Sequence, residues 1–134
     1  MIKQNAIRTP DGTFLNSTHR HDYKTHTDTV SGEKYMVDGG LDYYRGTFNN
    51  VKPESFHLNG DEPFEVLRDK FLWGSYGIFG DEPLKWNILS EMDESHIKAL
   101  IRLFKESSRS NSERLKLFIK ELQYRKNNGL LRRR

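Results

Sequence analysis

Between Thr18 and Arg45 the chain collects most of its chemically capable side chains: His19, Arg20, His21, Asp22, Tyr23, His26 and Asp28, then Asp38, Gly39, Gly40, Asp42, Tyr43 and Arg45. Two histidines at i and i+2 on a strand share one face and can grip a divalent cation, with Asp28 or Asp38 as further ligands brought across a hairpin. An imidazole that titrates near neutrality beside a carboxylate also suits acid–base catalysis, the carboxylate fixing the tautomer. Arg20 or Arg45 suits a phosphate, with Tyr23, Tyr43 or Tyr44 stacking on a base. The fourth use is structural. Strand alternation puts His19, His21 and Tyr23 on one face and Arg20 and Asp22 on the other, so that Arg20, Asp22, Asp38, Asp42 and Arg45 tie hairpins together through salt bridges and backbone hydrogen bonds. The expectation is a polar skeleton first and a site second.

Several chemistries are excluded or weakened. With no cysteine, the chain has no disulfide, thiol catalysis or cysteine-bound zinc or iron–sulfur cluster. The adjacent His21-Asp22 invites comparison with metal-dependent phosphohydrolases of the HD type, but those carry their His and His-Asp elements on helices, whereas the surroundings here are β-prone. Val37-Asp-Gly-Gly-Leu41 has neither the G-x-G-x-x-G nor the Walker spacing, and no helix follows it, so a bulge or a close backbone approach is the reading for Gly39-Gly40. No cofactor is expected and no metal ligand is assigned. A metal-dependent hydrolase stays as the remotest alternative.

The elements that must position these residues follow from periodicity. From Ala6 to Arg45, β-branched and aromatic residues with turn signals between them predict a β-meander. Pro10-Asp11-Gly12 suits a hairpin turn between Ile7 and Phe14-Leu15, and Ser31-Gly32 the next one. Residues 47–60 read as a loop with one short strand. Asp61 and Pro63 open a helix whose Phe64, Leu67 and Phe71 share a face, with Phe71-Leu-Trp73 as core and Gly74 as C-cap. Residues 74–80 read as a glycine-punctuated loop, and Pro83 to Leu89 as a short strand carrying Trp86 and Ile88. Ser90 and Asp93, then Ile97, Leu100, Ile101 and Phe104, predict a second helix. Ser110-Asn-Ser-Glu113 resembles a capping box for a third, with Leu115, Phe118, Ile119 and Leu122 on one face and Asn127-Asn128-Gly129 ending it. The link over Ser107–Ser110 is short enough to make the last two helices antiparallel.

The 134 residues therefore predict one α+β domain: a β-rich part at 6–58, a helical part at 61–128 and a frayed basic tail at 130–134. Charge is uneven. The net +3 resolves into about +6 from Glu113 onward and about −3 before it, so the basic end could steer the protein to nucleic acid or an acidic partner, or merely complement a helix dipole. No apolar run of membrane length and no leader pattern is present, which predicts a cytoplasmic protein without membrane contact.

The motifs themselves are familiar in combination: Thr9-Pro-Asp-Gly-Thr13, Ser17-Thr-His-Arg-His-Asp-Tyr23, Val37-Asp-Gly-Gly40 with Asp42, Tyr43 and Arg45, then Trp73-Gly74, Pro83-Leu84, Met92 and His96-Ile97. Over residues 6–101 this pattern resembles a family of small proteins of tailed bacteriophages. Some proteins with a similar arrangement carry Cys-x-x-Cys-Gly knuckles at two hairpin tips, like a zinc ribbon. Here Asp11-Gly12 and Ser31-Gly32 stand in those regions, which implies that turn chemistry replaces zinc. The resemblance implies a non-catalytic accessory protein that binds a host or defence macromolecule in the cytoplasm of an infected bacterium. The alternative is a nucleotide or nucleic-acid binding protein using His19 to Tyr23, Asp38 to Arg45 and the basic C-terminus. Oligomeric state stays open.

Overall fold

The structure is a computed structural model that describes residues 2–77, 79–107 and 112–131. Two compact units divide the chain, Met1–Phe71 and Leu72–Arg134. The architecture is α+β, with antiparallel strands first and two long helices last. Among the described residues no helix is long and apolar enough to cross a membrane.

In the first unit, β1 (Asn5–Arg8) and β2 (Phe14–Ser17) form a hairpin with Ile7 opposite Leu15. Its turn is the expected one: Gly12 takes a positive φ of 90°, and its N–H donates to Thr9 O. β3 (Lys24–Thr27), β4 (Lys34–Asp38) and β5 (Arg45–Thr47) form a meander. β6 (Glu54–Ser55) returns to pair with β1, which gives two three-stranded sheets, β2-β1-β6 and β3-β4-β5. Ile7, Leu15, Tyr35 and Val37 form a buried cluster that draws on both sheets. Polar ties supplement this thin core. Gln4 Nε2 donates to Phe56 O and to Lys70 O, and Tyr35 Oη donates to Val51 O at 2.7 Å. The Glu33 carboxylate accepts from Asn50 N and Val51 N, which fastens the loop after β5 to the β3–β4 hairpin.

The helix expected from Asp61 is a single turn, α1 (Phe64–Leu67), and Gly74 does not cap it. Instead Leu72–Ser75 is a strand, β7, paired with β8 (Lys85–Ile88) in the second unit. Gly74 lies opposite Trp86, whose ring would sit 3.0 Å from a Cβ there, so the glycine makes room for a cross-strand indole. Trp73 packs edge-on against Phe104 and Phe118, which also meet edge-on, an arrangement favoured by the ring quadrupoles.

A 3₁₀ turn at Leu89–Glu91 leads into α2 (Glu94–Lys105), which buries Ile97, Leu100 and Phe104. α3 (Glu113–Asn127) is capped by Ser112, whose Oγ accepts from Leu115 N. The N-cap is thus Ser112; Ser110 and most of the link before it lie outside the described residues, as do the last three arginines of the expected tail. Phe118 meets Phe104 near the end of α2, while Arg125 reaches Leu89 and Ser90 ahead of its start, so the pair is antiparallel as expected. The buried stripe of α3 differs from the expected one. It runs through Leu115, Leu117, Phe118, Glu121 and Arg125, with Ile119 and Leu122 half-buried.

Candidate functional site

Residues Thr18 to Tyr23 are a turn between β2 and β3, not a strand. Asp22 N donates to His19 O at 3.0 Å, and His21 takes φ 65°, the left-handed region a non-glycine residue enters reluctantly. Strand alternation therefore does not sort these side chains. His19, Arg20, His21 and Tyr23 are exposed, whereas Asp22 is buried. The Asp22 carboxylate accepts from Thr18 N at 2.8 Å and Thr18 Oγ1 at 3.2 Å, with Lys24 Nζ 3.4 Å and His19 Nδ1 3.7 Å away. Burial alone would raise its pKa, but the Thr18 N–H and Lys24 outweigh it and hold the carboxyl below the ordinary range.

The second motif forms a turn as well. Asp42 N and Tyr43 N both donate to Gly39 O, so Gly39-Gly40 opens a turn and is not a bulge. The close backbone approach is real. A Cβ on Gly40 would meet the carbonyl carbon and oxygen of His19 at 2.3 and 2.4 Å, and one on Gly39 would strike Tyr43. Ser17 Oγ joins the two turns, donating to Asp22 O at 2.7 Å and accepting from Gly40 N at 2.8 Å. The two motifs thus form one loop pair.

Within it, the charges are matched. Arg45 Nη2 donates to the buried Asp38 carboxylate across the β4–β5 ladder, and Arg20 Nε lies 3.8 Å from Asp42 Oδ2 at the surface. Asp38 Oδ1 accepts from Gly39 N, and Asn5 Nδ2 donates to Asp38 O at 2.8 Å and Tyr43 O at 3.4 Å. Asn5 is fully buried and its Oδ1 has no partner. Asn5 is a key member of the network that motif reading missed, its one signal a polar residue next to the buried Ala6 in a strand; Ser17 opens the Ser17–Tyr23 motif, but nothing in the sequence marks its linking role. A surface depression of about 280 Å³ beside the second turn is lined by Lys3, Leu41, Asp42, Tyr43, Tyr44 and Asn59.

The metal set built on His19 and His21 does not assemble, because Asp28 sits at the far end of β3 and Asp38 is held by Arg45. A different trio does come together at the hairpin tips: Asp11, His26 and Asp28 each place a ligand atom within 4.8 Å of the others. It is already knit by hydrogen bonds. Asp11 Oδ2 pairs with His26 Nε2 at 2.8 Å and accepts from Thr29 N at 2.9 Å, and Oδ1 accepts from Thr9 Oγ1 and Thr13 N. Asp28 Oδ1 accepts from Asp11 N at 2.7 Å and Oδ2 from Ser31 N at 2.6 Å. The His26 ring above all, then Thr29 N–H and the Thr9 and Thr13 donors, press the Asp11 carboxyl far below the usual range. For Asp28, burial is overcome by the N–H groups of Ser31 and Asp11.

Compared with family models, with curated proteins and with solved structures, the chain finds no match.

Proposed function

We propose that this is a non-catalytic binding protein of bacteriophage type whose loop pair, residues 18–23 and 39–45, contacts a host or defence protein. The observation that carries this reading is that Tyr23, Leu41 and Tyr43 project from two turns locked together through Ser17 and Gly40, with Tyr23 56% and Leu41 48% exposed. Aromatic and apolar side chains on a rigid support lose little entropy on association, and tyrosine and arginine dominate protein interfaces.

Charge pairing favours a protein partner over nucleic acid. Each arginine of the loop pair, and the lysine that follows its first turn, has a carboxylate beside it: Arg20 has Asp42, Arg45 has Asp38 and Lys24 has Asp22. A phosphate would have to displace those partners, and Arg125 of the basic end is buried against Glu121. The loop pair is therefore expected to add nothing to oligonucleotide binding, and Arg20→Ala should leave a labelled-oligonucleotide titration at low salt unchanged.

The test compares wild type with the double variant Tyr23→Ala, Leu41→Asp as baits for cross-linked host lysate, with circular dichroism confirming both are folded. One protein recovered by wild type and lost by the variant is the expected result. Identical recovery by both baits, or recovery of nothing across several hosts, overturns the reading.

A further inference from the structure

A second feature of the first unit lies away from the loop pair. Between β5 and β6, the outer strands of the two sheets, a cavity of about 350 Å³ opens onto the core, a volume within the usual range of small-molecule pockets. Ile7, Met36, Val37, Phe48 and Pro53 give it apolar walls, and Lys52 and His57 are its main polar side chains. Ile7 and Val37 belong to the buried cluster, so the cavity reaches the core itself.

Its polar groups are unusual for a packing defect. His57 Nδ1 is buried with no hydrogen-bond partner, although the ring is fixed by stacking on Tyr44 at 4.9 Å and 19°. Lys52 is exposed and has no ion-pair partner among the described residues. Burial, then the nearby charge of Lys70, lowers the His57 pKa, so the imidazole is neutral at pH 7.

The geometry points to a binding site for a small organic anion, an aromatic or aliphatic body lying against Ile7, Val37, Met36 and Phe48 and beside the His57 ring, with one carboxylate or sulfonate facing Lys52. Apolar walls alone would take any greasy molecule. Lys52, exposed beside those walls and without an ion-pair partner among the described residues, selects for an anionic head group. This site does not depend on the loop pair, and either reading can fail without the other.

Two dyes of the same shape separate charge recognition from plain greasiness: 8-anilinonaphthalene-1-sulfonate and its uncharged analogue N-phenyl-1-naphthylamine. The sulfonate is expected to bind saturably at one molecule per chain, shifting the His57 ring and Met36 methyl resonances. Lys52→Glu, a change at an exposed position, should weaken the sulfonate about tenfold and leave the neutral dye unchanged. Thr47→Trp, which fills the mouth from β5, should weaken both. The absence of saturable sulfonate binding, shifts confined to other residues, or equal behaviour of the two dyes toward Lys52→Glu would each overturn the proposal.

Discussion

The backbone N–H of Asp11 donates to the carboxylate of Asp28 at 2.7 Å, fastening the tip of the β1–β2 hairpin to the tip of β3–β4. The Asp11 carboxylate returns the contact through His26 and Thr29. Where a zinc ribbon would hold two knuckles on one ion, these tips are held by carboxylates that accept from backbone and side-chain donors. The loop pair at the opposite ends of β2 and β3 thereby rests on a two-hairpin frame that is closed at both ends.

This clasp should make stability acid-sensitive. Asp11 and Asp28 both titrate below their ordinary values in the folded chain, so the unfolded chain binds protons first as pH falls. Their contribution is fully present above the unfolded carboxylate value of about 3.9 and is lost progressively as pH falls below it toward the lowered folded values. Asp11→Asn should lower the urea midpoint at pH 7, and its gap from wild type should narrow between about pH 4 and pH 2. A gap that stays constant over that range would show that the Asp11 charge does not hold the tips.

A pair of glycines separates positive φ from close approach. Gly12 and Gly40 both have positive φ, but a Cβ on Gly12 meets nothing within 4 Å, while one on Gly40 runs into the His19 carbonyl. Gly12→Ala should cost about 1 kcal/mol, the conformational penalty alone. Gly40→Ala should cost roughly 3 kcal/mol or more, because backbone must also move. Chemical denaturation checks both, and equal costs would refute the locking of the two turns.

Local chemistry made part of this legible. Pro10-Asp11-Gly12 sets its turn within four residues, and the apolar stripe of α2 repeats inside one helix, so both could be read from neighbours in sequence. The partners of Asp11 in the second hairpin lie 15 to 18 residues away and carry no periodic signal. Residues 18–23 looked like strand because His, Arg and Tyr tolerate extended backbone; the positive φ of His21 has no glycine to announce it. Gly74 reads as a cap because a glycine after a helical stripe commonly ends a helix, and the residue it makes room for in the ladder, Trp86, belongs to another strand. Of the candidate site, the residues themselves were visible, but their joining through Ser17 and Gly40 was not.

Arg8 offers a test of how the edge strand β6 is held. Its guanidinium donates to Glu54 Oε1 at 2.6 Å and lies 5.3 and 5.1 Å from the ring centroids of Phe14 and Phe56, which themselves meet edge-on. The ion pair is largely exposed and contributes little, whereas the guanidinium covers two rings. Arg8→Lys should therefore cost about 0.5–1 kcal/mol and Arg8→Ala about 1–2 kcal/mol. Glu54→Gln should cost less than either. If Glu54→Gln matched Arg8→Ala in urea denaturation, the ion pair and not the ring contact would be holding the strand.

The pair Glu121–Arg125 tests the second unit. Arg125 Nε donates to Glu121 Oε2 at 2.7 Å, and Nη2 donates to Leu89 O at 3.1 Å, tying α3 to the turn ahead of α2. Glu121 is fully buried, so it lies among the core residues of a helix face that spacing alone would have made wholly apolar. Removing one member breaks the buried pair, at a cost of about 3–5 kcal/mol, while replacing both with apolar residues of similar volume returns much of it. Glu121→Leu and Arg125→Leu should each be strongly destabilising. The double variant should be less destabilised than the sum, though Leu89 O then loses its donor, which keeps it below wild type. Simple additivity of the two single costs would show that the carboxylate and guanidinium are stabilised independently, and that the ion pair does not organise the contact between the helices.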